Sequence, residues 1–259
     1  MFAASSTLRW SAIAWCVVAV VGQWFFAYHV AETYIVTAYA GDYAAWNQRL
    51  FVGLVPGDGI GNAALVAHLF VAFVITIGGT LQLLPWIRSH APALHRWNGR
   101  VYIGVAFVAS LAGLYMIWTR DTFGGIFIND ISLSLDAVLI MGFAAIALRL
   151  ARARRFDLHR RWALRTFMVV SGVWFTRVIY SFLGWVPGDT PGSTEDMSGP
   201  TNIAIGFASY LLPLAVLELY FLAQRSTSAL TKAATAALLL AATAATSIGV
   251  YGTALRWLR

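Results

Sequence analysis

Seven long, mostly apolar runs recur along the whole chain, at about 9–29, 62–86, 101–119, 131–150, 163–184, 203–223 and 233–255. Each has the roughly 19 to 25 residues needed to cross a hydrocarbon core. A lipid-exposed backbone must satisfy its amides internally, so each run is expected to be a helix. Charged residues make up 11% of the chain, against roughly 25% in a soluble domain. The expected fold is all-α: a polytopic transmembrane helical bundle of about seven spans, one integral membrane domain over residues 1–259. The first run is long and lacks a convincing cleavage site after it, so it reads as a retained helix. Between the first two runs, the aromatic stretch from Tyr39 to Trp46 suits a short interfacial helix.

The net charge of +7 points to topology and away from nucleic acid. With the N-terminus in the cytoplasm, that side holds Arg9, Arg88, Arg96, Arg100, Arg149, Arg152, Arg154, Arg155, Arg160, Arg161, Arg165, Arg225 and Lys232. The other side holds Arg49, Arg120, Arg256 and Arg259, a ratio of 13 to 4, and the positive-inside rule decides for this orientation. The setting is then a bacterial inner membrane, with the C-terminus outside and the Pro187–Pro200 loop facing out.

Two basic stretches stand out. Leu94-His95-Arg96-Trp97-Asn98-Gly99-Arg100-Val101-Tyr102 joins two apolar runs, and Leu158-His159-Arg160-Arg161-Trp162 joins two more, 64 residues later. Each is followed by an arginine, Arg100 or Arg165, leading into the next run. Read as loops, they suggest two related hairpins at the core of the bundle. Three roles are open for them. His95 and His159 could converge as axial ligands of haem b or contacts of a quinone, with His68 as a further histidine of the same kind. The arginines Arg96, Arg100, Arg160 and Arg165 could fork onto a small anion or a lipid headgroup. Or the stretches only anchor topology. Cys16 is the single cysteine, so no internal disulfide and no C-x-x-C-H haem attachment is possible. Nucleotide-loop, zinc-protease and nucleophile-elbow motifs are absent as well.

Ionisable groups inside the runs are costly in lipid and are usually paired or functional. On a rise of about 1.5 Å per residue, Asp136, Arg177 and His68 fall at a similar level in the outer half. An Asp136–Arg177 ion pair extended by His68 is expected, either as a structural clamp or as a site. Glu218 lies in the inner half, where a paired or snorkelling role near Arg165 stands level with a catalytic one. His68, Ala72, Thr76, Gly79 and Gln82 share one face of the second span, a stripe that suits helix packing more often than a ligand groove. The last span, rich in Ala and Thr, reads as a packing helix.

At the two basic stretches the chain resembles a bacterial family of multi-pass membrane proteins, domain of unknown function 2306. That family's pattern runs approximately His-Arg-x-x-Gly-Arg-x-Tyr and then His-Arg-x-Trp-Met-x-Arg; here Ala163 replaces the Met. The resemblance covers about 62–180 and implies a helical bundle in a membrane, with no activity attached. Two function classes stay open: a membrane redox protein binding b-type haem or quinone through histidines, and a transporter or binding protein for a small anion or lipid headgroup.

Overall fold

A computed structural model describes residues 2–50, 52–120, 126–185 and 190–257. Arg259 and the start of the Pro187–Pro200 loop lie outside them. The first helix, α1 (Phe2–Val30), continues through a π-helical turn at Ala31–Val36 and on to Tyr39. The expected interfacial helix is only the short α2 (Ala44–Asn47). Then follow α3 (Gly59–Leu83), α4 (Pro85–His90), α5 (Pro92–Arg120), α6 (Phe127–Arg152), α7 (Phe156–Val170), α8 (Gly172–Leu183), α9 (Pro200–Arg225) and α10 (Ala229–Trp257). Among the described residues six helices are long and apolar enough to cross a bilayer, or seven if α7 and α8, bent by 54° at their junction, count as one span. The chain is a polytopic helical membrane protein.

Local chemistry sets the helix ends. The Asp58 carboxylate accepts the Gly61 amide at 2.8 Å and caps α3. Pro85 and Pro200 open their helices, where a missing N–H costs nothing. Before α9, the Thr194 amide donates to Asn202 at 2.8 Å. Beside it, hydrogen bonds from the Thr194 and Ser198 side chains hold the Asp196 pKa down at about 2. The break between α7 and α8 falls at Ser171, whose hydroxyl donates back to the Phe167 carbonyl at 2.7 Å. That back-bonding bends a helix, and Gln23 of α1 fixes the bend by donating to the same hydroxyl at 2.8 Å.

In the bundle α3 packs on α5, α5 on α6 and α6 on α7, while α9 covers α6, α7 and α8. The first helix lies between α3 and α10, and α10 also packs on α8. Large apolar side chains such as Trp10, Phe70, Val138, Leu222 and Tyr251 point outward, as expected where the solvent is lipid. The last helix is a packing helix, with glycines at its contacts with α1 and α8.

Both Leu-His-Arg stretches depart from the loop expectation. His95 lies in the first turn of α5 and His159 in the first turn of α7. The loops are shorter than apolarity alone suggests, because a helix can run on through a charged turn once it leaves the lipid. One end of the bundle therefore carries nearly all the arginines on helix ends.

Candidate functional site

At the arginine-rich end, His159 donates through Nδ1 to the Ala147 carbonyl at 2.9 Å. That hydrogen bond caps the last turn of α6 and leaves Nε2 of a neutral ring with its lone pair free. His95 has a different environment. Its backbone carbonyl accepts the Gln82 amide at 2.9 Å, while its Nδ1 is buried with no hydrogen-bond partner. The two imidazoles are close enough to interact electrostatically, and Arg88 and Arg96 add to the positive field on His95.

Much of the longer motif docks helices. Asn98 donates to the Gly78 carbonyl at 2.8 Å, and Gly99 faces the Gln82 side chain. A Cβ on Gly79 would lie 2.9 Å from the Tyr102 ring and 3.4 Å from that of Phe167. The glycines of the small-residue stripe on α3 are thus covered by protein side chains. Leu94 and Trp97 stay exposed, with the Arg100 guanidinium 5.5 Å from the Trp97 ring.

The shorter motif ends in a firm ion pair. Arg165 donates to Glu218 through Nε at 2.6 Å and through a terminal nitrogen at 2.8 Å. Such a two-pronged contact is the strongest geometry available to this pair. The same guanidinium lies 4.7 Å from the Trp162 ring, and that of Arg161 lies 4.9 Å from Phe221. Glu218 is therefore already committed and does not neutralise the other cations of that end.

The expected pairing of Asp136 with Arg177 is corrected. Among the described residues the ion pairs are Arg120–Asp58 and Arg165–Glu218. The bend at Ser171 is the reason, because it turns α8 away from α6. Arg177 consequently lies on the exposed side of α8, donating to the Val173 carbonyl at 2.9 Å, with its guanidinium 5.0 Å from the Phe26 ring. Asp136 stays by the bend, where a Cβ on Gly172 would lie 3.0 Å from its carboxylate. One carboxylate oxygen there is buried with no hydrogen-bond partner, as is the Ser132 hydroxyl one turn earlier. Tyr210 crosses from α9 and donates to the Ser132 carbonyl at 3.1 Å. His68 does not extend this cluster; its Nδ1 donates to the Ala109 carbonyl of α5 at 3.1 Å.

Replacing Arg177 with Met and Asp136 with Leu should therefore give independent effects. A double-mutant cycle on the thermal unfolding of the purified protein should show coupling within about 0.5 kcal/mol. Arg177→Met alone should cost about 0.5–1 kcal/mol, the size of an exposed cation–π contact. Coupling of several kcal/mol would restore the ion pair.

Sequence reasoning passed over Arg120, at the opposite end. Its side chain is 4% exposed and lies 3.1 Å from Asp58. It also donates to the carbonyls of Gly61 at 3.0 Å and Gly53 at 2.8 Å, and to the Asn62 side chain at 3.2 Å. The signal was present as an arginine at the end of an apolar run, but the topology count absorbed it. Among the described residues no three His, Cys, Asp or Glu side chains gather as a metal-ligand set.

The family described as "Predicted membrane protein (DUF2306)" matches residues 65–221, a stretch that holds both Leu-His-Arg turns, Asp136, Arg177 and Glu218. No curated protein and no solved structure matches the chain.

Proposed function

The chain belongs to the DUF2306 family of predicted membrane proteins, and from the charge of its arginine-rich end we propose that it binds a small anion or an anionic lipid headgroup there. It does so as a single domain, residues 1–259, of the bacterial inner membrane, either as a binding protein or as a transporter. The N-terminus and the arginine-rich end face the cytoplasm, and the C-terminus lies outside.

The carrying observation is charge without compensation. Thirteen cations belong to that end by the course of the helices, against Asp157 and Glu218, and Glu218 is held by Arg165. Topology explains an excess of arginine in general. It does not explain why Arg96, Arg100 and Arg160 follow two histidines near the starts of α5 and α7, where they can fork onto phosphate or carboxylate oxygens.

The test uses the full chain in phosphatidylcholine nanodiscs, melted in phosphate and in chloride at equal ionic strength, and again with phosphatidylglycerol added. Specific binding raises the melting temperature, by the equivalent of about 2.7 kcal/mol at a hundredfold excess over Kd. Identical melting in all conditions would end the reading.

A second reading, b-type haem or quinone through His95 and His159, is favoured by the unpartnered Nδ1 of His95 and by the Nε2 of His159 that its bond to Ala147 leaves unused; His68, bonded to Ala109 in the outer half, lies apart from it. Either group would supply electron transfer, and the imidazoles would hold and orient it. Against haem stand the covered glycines of α3, which offer a macrocycle no slot. An absorption spectrum separates the readings: a Soret band abolished by His95→Ala or His159→Ala speaks for haem.

A further inference from the structure

Between the first turns of α1 and α10, the start of α7 and the end of α9 lies a cavity of about 450 Å3, walled in part by Arg9, Arg160 and Lys232. We propose that this cavity is the phosphate-binding site of the protein. It takes one phosphate group, either from inorganic phosphate or from the headgroup of an anionic lipid. The inference rests on the anion-binding reading above, and moves its centre from the Leu-His-Arg turns to a cavity that they reach only through Arg160, with Arg9 and Lys232 outside any motif.

Three observations converge. First, the cations come from parts of the chain far apart in sequence, and among the described residues no carboxylate lines the cavity. Like charges held together repel unless an anion sits among them. Second, Lys232 is only 9% exposed. An ammonium carries three N–H donors, and this one gives one of them to the Ser5 hydroxyl at 2.8 Å, a neutral partner. A cation so far from water calls for a counter-charge. Third, the wall supplies the neutral hydrogen-bonding groups of Ser5, Tyr220 and Gln224. Two guanidinium forks, one ammonium and these groups match the tetrahedral oxygens of a phosphate. The position, at the ends of apolar helices, is also where a lipid phosphate would lie.

Binding to the full-length protein in phosphatidylcholine nanodiscs should be measured by titrating inorganic phosphate, and in a second arm by adding phosphatidylglycerol. Lys232→Met, Arg160→Gln and Arg9→Gln should each weaken binding about tenfold or more, the value of one charge-assisted contact. Arg154→Gln, at the same end but off the cavity, should leave it unchanged. Arg9 and Arg160 are exposed, so their replacement keeps the fold, and loss of binding there is loss of the site. A response to phosphate in phosphatidylcholine identifies a soluble ligand, and a response to phosphatidylglycerol alone identifies a lipid headgroup. Binding that survives the three cavity variants but falls with Arg96→Gln and Arg100→Gln would overturn the cavity and keep the anion reading. A wild-type protein that answers neither probe would overturn both.

Discussion

Exchanging Arg120 for methionine should lower the unfolding free energy by about 1.5–3 kcal/mol, the value of charge-assisted hydrogen bonds, because the Arg120 side chain is buried while Asp58 keeps about a third of its exposure. The side chain ties three pieces together. It pairs with Asp58 and accepts no substitute for its hydrogen bonds to the Gly53 and Gly61 carbonyls. The segment it holds is already clasped by two asparagines: Asn47 bonds both the amide and the carbonyl of Leu54, and Asn62 does the same for Val55. Without the guanidinium, Asp58 loses its counter-charge and the Gly53 and Gly61 carbonyls lose the arginine donor together. Arg120→Lys keeps the charge but not the fork, so it should fall between wild type and methionine. Thermal unfolding in detergent, with protease cleavage between Gln48 and Pro56 as a local readout, checks this. A methionine variant within 1 kcal/mol of wild type, at about the scatter of surface changes, would show that the cluster holds nothing.

Gly249→Leu should be comparably damaging, for a different reason. A Cβ at Gly249 would collide with the Val178 backbone carbonyl and lie 2.6 Å from a Val178 methyl group. Backbone cannot step aside as a side chain can, so α8 and α10 must separate. Apolar burial drives no helix association inside lipid, which leaves close packing and hydrogen bonds such as Thr253 to Ser181, at 2.7 Å, to hold this pair. Even Gly249→Ala should cost about 1–3 kcal/mol by overpacking, and leucine more. Gly252→Ala is the matched control. There the obstacle is the Trp185 ring at 2.6 Å, a side chain that can rotate, and the loss should be smaller. Equal losses at the two glycines would contradict the close approach of the helices.

The spans were legible because apolarity over about 20 residues is a strong, one-dimensional signal. The Arg165–Glu218 pair was legible too, since both residues lie at one level of neighbouring helices. What failed to read through was rotation. Depth along a helix placed Asp136, Arg177 and His68 together, but their facing depends on a 54° bend at Ser171 that a serine in an apolar run does not announce. The Leu-His-Arg turns misled in the same way: charge marks where lipid ends, and not where helix ends. Arg9 and Lys232 are invisible as a site in sequence, because they meet only through the contacts of α1 with α10.

The proposals for the arginine-rich end require it to face the cytoplasm, and cysteine labelling in intact cells tests that most directly. With Cys16 replaced by Ser, the only native thiol is gone, and single cysteines can be placed at Arg154, between α6 and α7, and at Glu195, before α9. A membrane-impermeant maleimide should modify the cysteine at 195 in intact spheroplasts and reach the one at 154 only after lysis. Labelling of position 154 in intact spheroplasts, with position 195 protected, would invert the protein and remove the basis for a cytoplasmic anion site.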